Sequence, residues 1–119
     1  MKTILVVDDE LANAEVLSLI LEEEGYRVFC ASNGRQGLER VAELRPQLVV
    51  LDFMMPVMDG AAMGRALREG DATRHVRILM SSSLTEEAVR EHFGGHDHFL
   101  RKPYNIDVAL DVIGRLLRD

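Results

Sequence analysis

The sequence predicts a doubly wound α/β domain, a five-stranded parallel sheet with helices on both faces. Three observations predict it. Five short apolar runs, at residues 4–7, 26–30, 48–51, 76–81 and 98–101, alternate with longer segments whose apolar residues recur at helical spacing. Several of these runs are apolar without interruption, as strands covered on both faces must be. Residues suited to helix caps, Gly25 and Asp59 with Gly60, fall between the two kinds of segment.

The first run, Ile4-Leu5-Val6-Val7, is cut off by Asp8 and Asp9 and followed by Ala14, Leu17, Ile20 and Leu21, one buried stripe of a first helix. Gly25 is placed to cap that helix at its C-terminus before the run that ends at Cys30. Leu38, Val41 and Ala42 mark a second helix, and Leu48-Val49-Val50-Leu51 the third strand. Asp59 before Gly60 suits the N-cap of a third helix carrying Met63, Ala66 and Leu67. After the fourth run, residues 84–93 hold few apolar positions and end at Gly94-Gly95, so a short, loosely held helix is expected. The last strand precedes a helix with Ala109, Val112, Ile113 and Leu116 on one face. A (βα)5 chain of this kind predicts the flavodoxin-like strand order 2-1-3-4-5, in which ligands bind at the C-terminal ends of strands 1 and 3.

Bulk properties set the outer bounds. A chain of 119 residues, 47% hydrophobic, supports one core, so residues 1–119 are expected to form a single domain. The net charge of −6 argues against direct nucleic-acid binding, which needs a surplus of Lys and Arg. Cys30 is the only cysteine, which excludes an internal disulfide and a Cys-based zinc site; it reads as a packed core residue. The apolar start is too short for a signal peptide and no stretch reaches membrane-spanning length, so a cytoplasmic protein without a membrane partner is expected.

Asp8 and Asp9 follow the first strand directly and Asp52 follows the third, so adjacent strands would bring three carboxylates to one rim. Unpaired, they repel. A hard divalent cation relieves the repulsion, and Mg2+ suits one or two carboxylates completed by waters and a phosphate. A carboxylate oxygen can then attack a phosphoryl donor and form an aspartyl phosphate. Asp52 is the candidate nucleophile, because the apolar strand before it fixes its backbone, while Asp8 and Asp9 sit together where a metal needs them. Singly, each aspartate reads more readily as a cap or turn residue than as a ligand; the combination reverses that and points to chemistry. Ser82 and Lys102, at the ends of the fourth and fifth runs, fall at the same rim. A hydroxyl and an ammonium suit the remaining phosphoryl oxygens.

Three segments carry a specific resemblance: Val6-Val7-Asp8-Asp9-Glu10, the loop Leu51-Asp52-Phe53-Met54-Met55-Pro56-Val57-Met58-Asp59-Gly60, and Lys102-Pro103-Tyr104. Along its full length the chain resembles a receiver domain of bacterial two-component response regulators. The resemblance implies a signalling switch, not an enzyme, in which Asp52 is phosphorylated by a sensor histidine kinase or a histidine phosphotransfer protein. It implies that Mg2+ is held by Asp8, Asp9, Asp52 and the backbone carbonyl of Met54, with Asp9 preferred as the direct ligand and Asp8 acting through water. It also implies that Lys102 contacts the phosphoryl group and that the Lys102–Pro103 bond is cis. Ser82 and Phe99 match the family's two switch positions, and the surface near the fourth helix, fifth strand and fifth helix would meet a downstream effector. Because Ser81, Ser82 and Ser83 form a run, a shift of one residue would select a neighbour instead. The switched domain is expected to be a monomer or weak dimer.

Met54 and Leu84, two residues beyond Asp52 and Ser82, offer no side-chain group to orient a water, so slow self-dephosphorylation is expected. Other readings are weaker. His96 and His98 around Asp97 raise a zinc or nickel site, but no third strong ligand accompanies them and a solvated loop is expected. Met54, Met55 and Met58 read as packing beside a turn, not as a soft-metal box. A phosphatase of the haloacid dehalogenase type would need a second acid at position 54, where Met54 stands. A scaffold that is never phosphorylated would not need the full acidic, Ser and Lys set. With the fifth helix ending near Leu117 there is no room for an output domain in these residues, which fits either a stand-alone regulator or a receiver cut from a longer protein.

Overall fold

A computed structural model describes residues 1–118. The elements run β1 (Thr3–Val7), α1 (Leu11–Glu23), β2 (Arg27–Ala31), α2 (Gly34–Leu44), β3 (Leu48–Asp52), α3 (Gly60–Glu69), β4 (Arg77–Ser82), α4 (Glu86–Arg90), β5 (His98–Arg101) and α5 (Ile106–Leu117). All strands are parallel, in the predicted order β2-β1-β3-β4-β5. Two strands begin one residue later than the apolar runs. The Tyr26 amide is taken by Leu21 O at the end of α1, at 3.2 Å, and the Val76 amide by Thr73 O in a turn, at 3.0 Å, so neither can join the sheet ladder.

Strand alternation divides the core in two. Leu5, Val7, Val49, Leu51, Ile78 and Met80 pack with α2, α3 and α4, whereas Ile4, Val6, Leu48, Val50 and Leu79 pack with α1 and α5. On α1, Ala14, Leu17 and Leu21 are buried as predicted. The α2 stripe differs: Ala42 is exposed, and the buried face is Gly34, Gly37 and Val41. α2 lies so close to α3 that a Cβ on Gly37 would sit 2.7 Å from the Met63 sulfur, so a contact made by glycine leaves no apolar signature in the sequence. On α5 the buried terminal residue is Leu117, with Leu116 half-buried. Cys30 is likewise half-buried, its sulfur 3.0 Å from Ser18 Oγ.

Helix α4 is short, as predicted, but it is anchored: Val89 is fully buried and Phe93 nearly so. The expected solvated loop around the histidines is only half present. His98 is exposed, but His96 is buried between Phe93 and Phe99, with ring centroids 6.2 and 6.0 Å away, because Glu86 supplies its ring with a hydrogen-bond partner. Arg68 of α3 ties this loop down through Gly95 O, Val76 O and Asp97 Oδ2, while the same Asp97 oxygen accepts the Ile78 amide at 2.8 Å.

The loop after β3 folds back on itself. The Gly60 amide donates to Phe53 O at 2.9 Å, and a Cβ at Gly60 would strike the Asp52 carbonyl oxygen, so only glycine fits there. Asp59 caps α3 by accepting the Ala62 amide at 2.9 Å, as its position before Gly60 predicts. Between Phe53 and Asp59, Val57 adopts a φ of 69° and is 76% exposed. A β-branched residue in the left-handed region is strained, and here no packing compensates. Val57→Asn or Val57→Gly should therefore raise unfolding free energy by about 1 kcal/mol in urea titration, with no change in the slope of the transition.

Candidate functional site

β1 and β3 are neighbours with Val7 opposite Leu51, so the residues that follow, Asp8 and Asp52, emerge side by side. The Asp8 amide donates to Ala31 O at 3.0 Å, and its Oδ1 accepts the Glu10 amide at 2.9 Å, which fixes the turn into α1. Carboxylate oxygens of Asp8, Asp9 and Asp52 all lie within 4.8 Å of one another. Among the described residues no other group of three metal-ligating side chains converges in this way. Lys102 reaches the cluster from the end of β5, its Nζ 3.1 Å from Asp52 Oδ1 and 3.4 Å from Asp8 Oδ2. Its own amide donates to Ser82 O at 2.8 Å, and the Lys102–Pro103 peptide is cis, as expected.

The electrostatics of this cluster are unbalanced. Burial pushes the Asp52 carboxyl up to about 6; Lys102 opposes the rise, and the Asp8 and Asp9 charges add to it. For Lys102 burial acts downward, but Asp52 and then Asp8 outweigh it and hold the ammonium above its usual value. Three carboxylates facing one ammonium leave two negative charges uncompensated, which fits a hard divalent cation with oxygen ligands. Met54, two residues after Asp52, is 62% exposed.

A cavity of about 450 Å³ opens beside the cluster, its polar wall formed by Asp8, Asp52 and Lys102 together with Ser81, Ser83 and Asn13. Ser82 is not in this wall. Strand alternation places Ser81, the register partner of Asp52, on the α1–α5 side and Ser82 on the opposite side, where its hydroxyl accepts the Leu84 amide at 3.0 Å. Phe99, opposite Met80 on β5, packs against the core on that same side. Burial raises the pKa of Tyr104, which lines the cavity next to Lys102. Asn13 escaped the sequence reading because a single polar residue on a helix carries no chemical signature. Its place in the first turn of α1, four residues after Asp9, was the available signal.

Residues 4–113 match the response regulator receiver domain family. The chain belongs to this family. The DNA-binding response regulator MtrA of Mycolicibacterium paratuberculosis is 39% identical over 117 residues, 98% of this chain and 52% of that protein. The receiver domain spans about half the length of the curated relatives it matches. Among solved structures, the signal receiver domain of a histidine kinase from Syntrophus aciditrophicus superposes with a TM-score of 0.91 at 32% identity, over 98% of this chain and 90% of that one. The response regulator TrrA of Thermotoga maritima, solved in complex with Mg2+ and BeF, gives a TM-score of 0.88 at 30% identity, over 98% of this chain and 100% of that one. The flavodoxin-like receiver fold and the membership of two-component signalling read from the sequence are thereby shown, and receiver domains act as signalling switches. No helix among the described residues is long and apolar enough to cross a membrane.

The raised Asp52 carboxyl has a stability consequence. Between its unfolded value of 3.8 and its folded value of about 6 the native receiver binds the extra proton, so this group subtracts stability as pH rises through that window. Asp52→Asn should therefore be more stable than wild type by about 1–3 kcal/mol in urea at about pH 7.5 without divalent cations. The difference should shrink towards zero near about pH 4, where Asp52 is protonated when folded.

Proposed function

We propose that this receiver accepts a phosphoryl group on Asp52 from the phosphohistidine of a sensor histidine kinase or a histidine phosphotransfer protein. The observation that carries the reading is the convergence of Asp8, Asp9, Asp52 and Lys102 from the ends of three strands onto one rim. A carboxylate oxygen of Asp52 forms the bond to phosphorus as the phosphorus–nitrogen bond of the donor breaks, and the imidazole nitrogen leaves with the electron pair. The Lys102 ammonium, already 3.1 Å from Asp52, is placed to move from the carboxylate to a phosphoryl oxygen. Mg2+, held by Asp8, Asp9, Asp52 and the Met54 carbonyl, would supply the charge neutralisation that lets an anionic donor approach an anionic rim. The chain's own residues do the positioning.

The readout follows from the new charge. A phosphoryl group brings close to two negative charges and further acceptor oxygens to the end of β3. Ser82 can answer by leaving the Leu84 amide and turning its hydroxyl across the strand end, and Phe99 on the same face can follow it inward. The surface near α4, β5 and α5 then differs between the two states and is offered to an effector protein. Relatives such as MtrA are DNA-binding by name, but a domain of net charge −6 would leave DNA contact to another part of the protein or complex. We place the receiver in the cytoplasm, as a monomer or weak dimer.

Incubation with a small acyl phosphate and Mg2+ should add one phosphoryl group to the intact protein by mass spectrometry, and Asp52→Asn or chelation of the cation should abolish it. The haloacid dehalogenase alternative predicts free phosphate without a lasting adduct. The adduct should also be long-lived, because exposed Met54 and Leu84 present only apolar atoms beside the site. Met54→Asn or Leu84→Glu should shorten its half-life several-fold in a decay assay; unchanged or slower decay in both variants would exclude that role for these positions.

A further inference from the structure

The contact between Glu86 and His96 takes no part in phosphoryl chemistry, yet it sits between the two residues assigned to the switch. The His96 side chain is 1% exposed, and its Nε2 lies 2.7 Å from Glu86 Oε2. Arg90 donates to the same oxygen at 2.9 Å. The hydrogen bond from His96 and then the Arg90 partner, acting against burial, hold the Glu86 carboxyl below its usual range, so Glu86 is a charged acceptor and Nε2 the donor. The other ring nitrogen, Nδ1, is buried without a partner, which leaves this one bond as the polar anchor of the ring.

The anchor is close to Ser82 along the chain. Only Ser83, Leu84 and Thr85 separate Ser82 from Glu86. At one end of this segment Ser82 Oγ accepts the Leu84 amide; at the other Thr85 Oγ1 caps α4 by accepting the Ala88 amide at 3.2 Å. A Ser82 hydroxyl that turns towards Asp52 must release Leu84 and displace the segment, and the Glu86–His96 bond resists that displacement. The His96 ring also lies against Phe99, with centroids 6.0 Å apart. One hydrogen bond thus restrains both switch residues.

We propose that the Glu86–His96 hydrogen bond is a latch that holds the β4–α4 segment and the Phe99 ring in the resting arrangement, so that breaking it favours the phosphorylated arrangement. The latch rests on Asp52 being the phosphoacceptor. Its effect is a population shift: a device that stabilises only the resting state lowers the apparent affinity for anything that binds the switched state.

Two variants test it. His96→Phe deletes the bond while keeping an aromatic ring between Phe93 and Phe99, and Glu86→Ala deletes it from the partly exposed side. Each is titrated with beryllofluoride in the presence of Mg2+, and amide hydrogen exchange is followed without either. Both variants should bind beryllofluoride about fivefold more tightly than wild type, the factor that corresponds to roughly 1 kcal/mol for one net hydrogen bond. The amides of Leu84 and of α4 should exchange faster by a similar factor. A contact with only a structural role would speed exchange and leave the affinity unchanged or weaker, and that outcome overturns the latch. Unchanged exchange in both variants overturns it as well. Failure of the wild type to bind beryllofluoride would overturn the phosphoacceptor reading itself and the latch with it, so the two failures are told apart by the wild-type titration.

Discussion

The rim is organised by one constraint: Asp52 must stay charged and buried beside two more carboxylates with a single ammonium, that of Lys102, to balance them. The fold meets it by rigidity. β3 is buried along its whole length, so Asp52 has no backbone freedom with which to retreat into water. The backbone of Lys102 is pinned through its own amide to Ser82 O, which keeps the base of its side chain at the rim. The remaining two negative charges make the rim receptive to a cation, and a cation held there would let an anionic phosphoryl donor approach. Parallel strand order matters here because it alone sets Asp8 and Asp52 on neighbouring strand ends.

Much of this was legible in the sequence. Apolar runs broken by acids gave the strands and their C-terminal ends, and the fold rule for ligand crevices then pointed to Asp8, Asp9 and Asp52. Local caps such as Asp59 could be read because their chemistry depends on adjacent residues only. What stayed hidden involved tertiary partners. Gly37 buries a helix face with no side chain to announce it, and His96 is interior only because Glu86, ten residues away in sequence, reaches its ring. Ser82 shows a different limit. Its place at the end of the fourth strand could be read, but the direction of its hydroxyl, away from the cavity wall, follows from strand alternation relative to Asp52, which needs the register between β3 and β4.

The cost of the site is local. Val57 is strained in the loop that carries the backbone away from Asp52, and Gly60 is compelled by the carbonyl of Asp52 itself. These are departures from ordinary local preference, and both lie within eight residues of Asp52, where a loop must turn sharply without obstructing the rim. The opposite end of the sheet shows no such left-handed β-branched residue among the described residues.

The sheet also explains how a change at Asp52 could reach a distant surface without any large motion. Asp52 and Ser81 face α1 and α5, while Ser82 and Phe99 face the side packed by α3 and α4. A phosphoryl group built on one face therefore has no direct contact with the helices of the other. The end of β4 is the crossing point, since Ser82 is the last residue of that strand and its successors carry no ladder hydrogen bonds to hold them. A hydroxyl there can turn by rotation of its side chain alone, while Ser82 keeps its pairing with Arg101 and its carbonyl keeps the Lys102 amide. If Ser82 turns as proposed, the first turn of α4, four residues further on, is the first helix to feel it, and the Glu86–His96 bond that fastens that turn opposes the change.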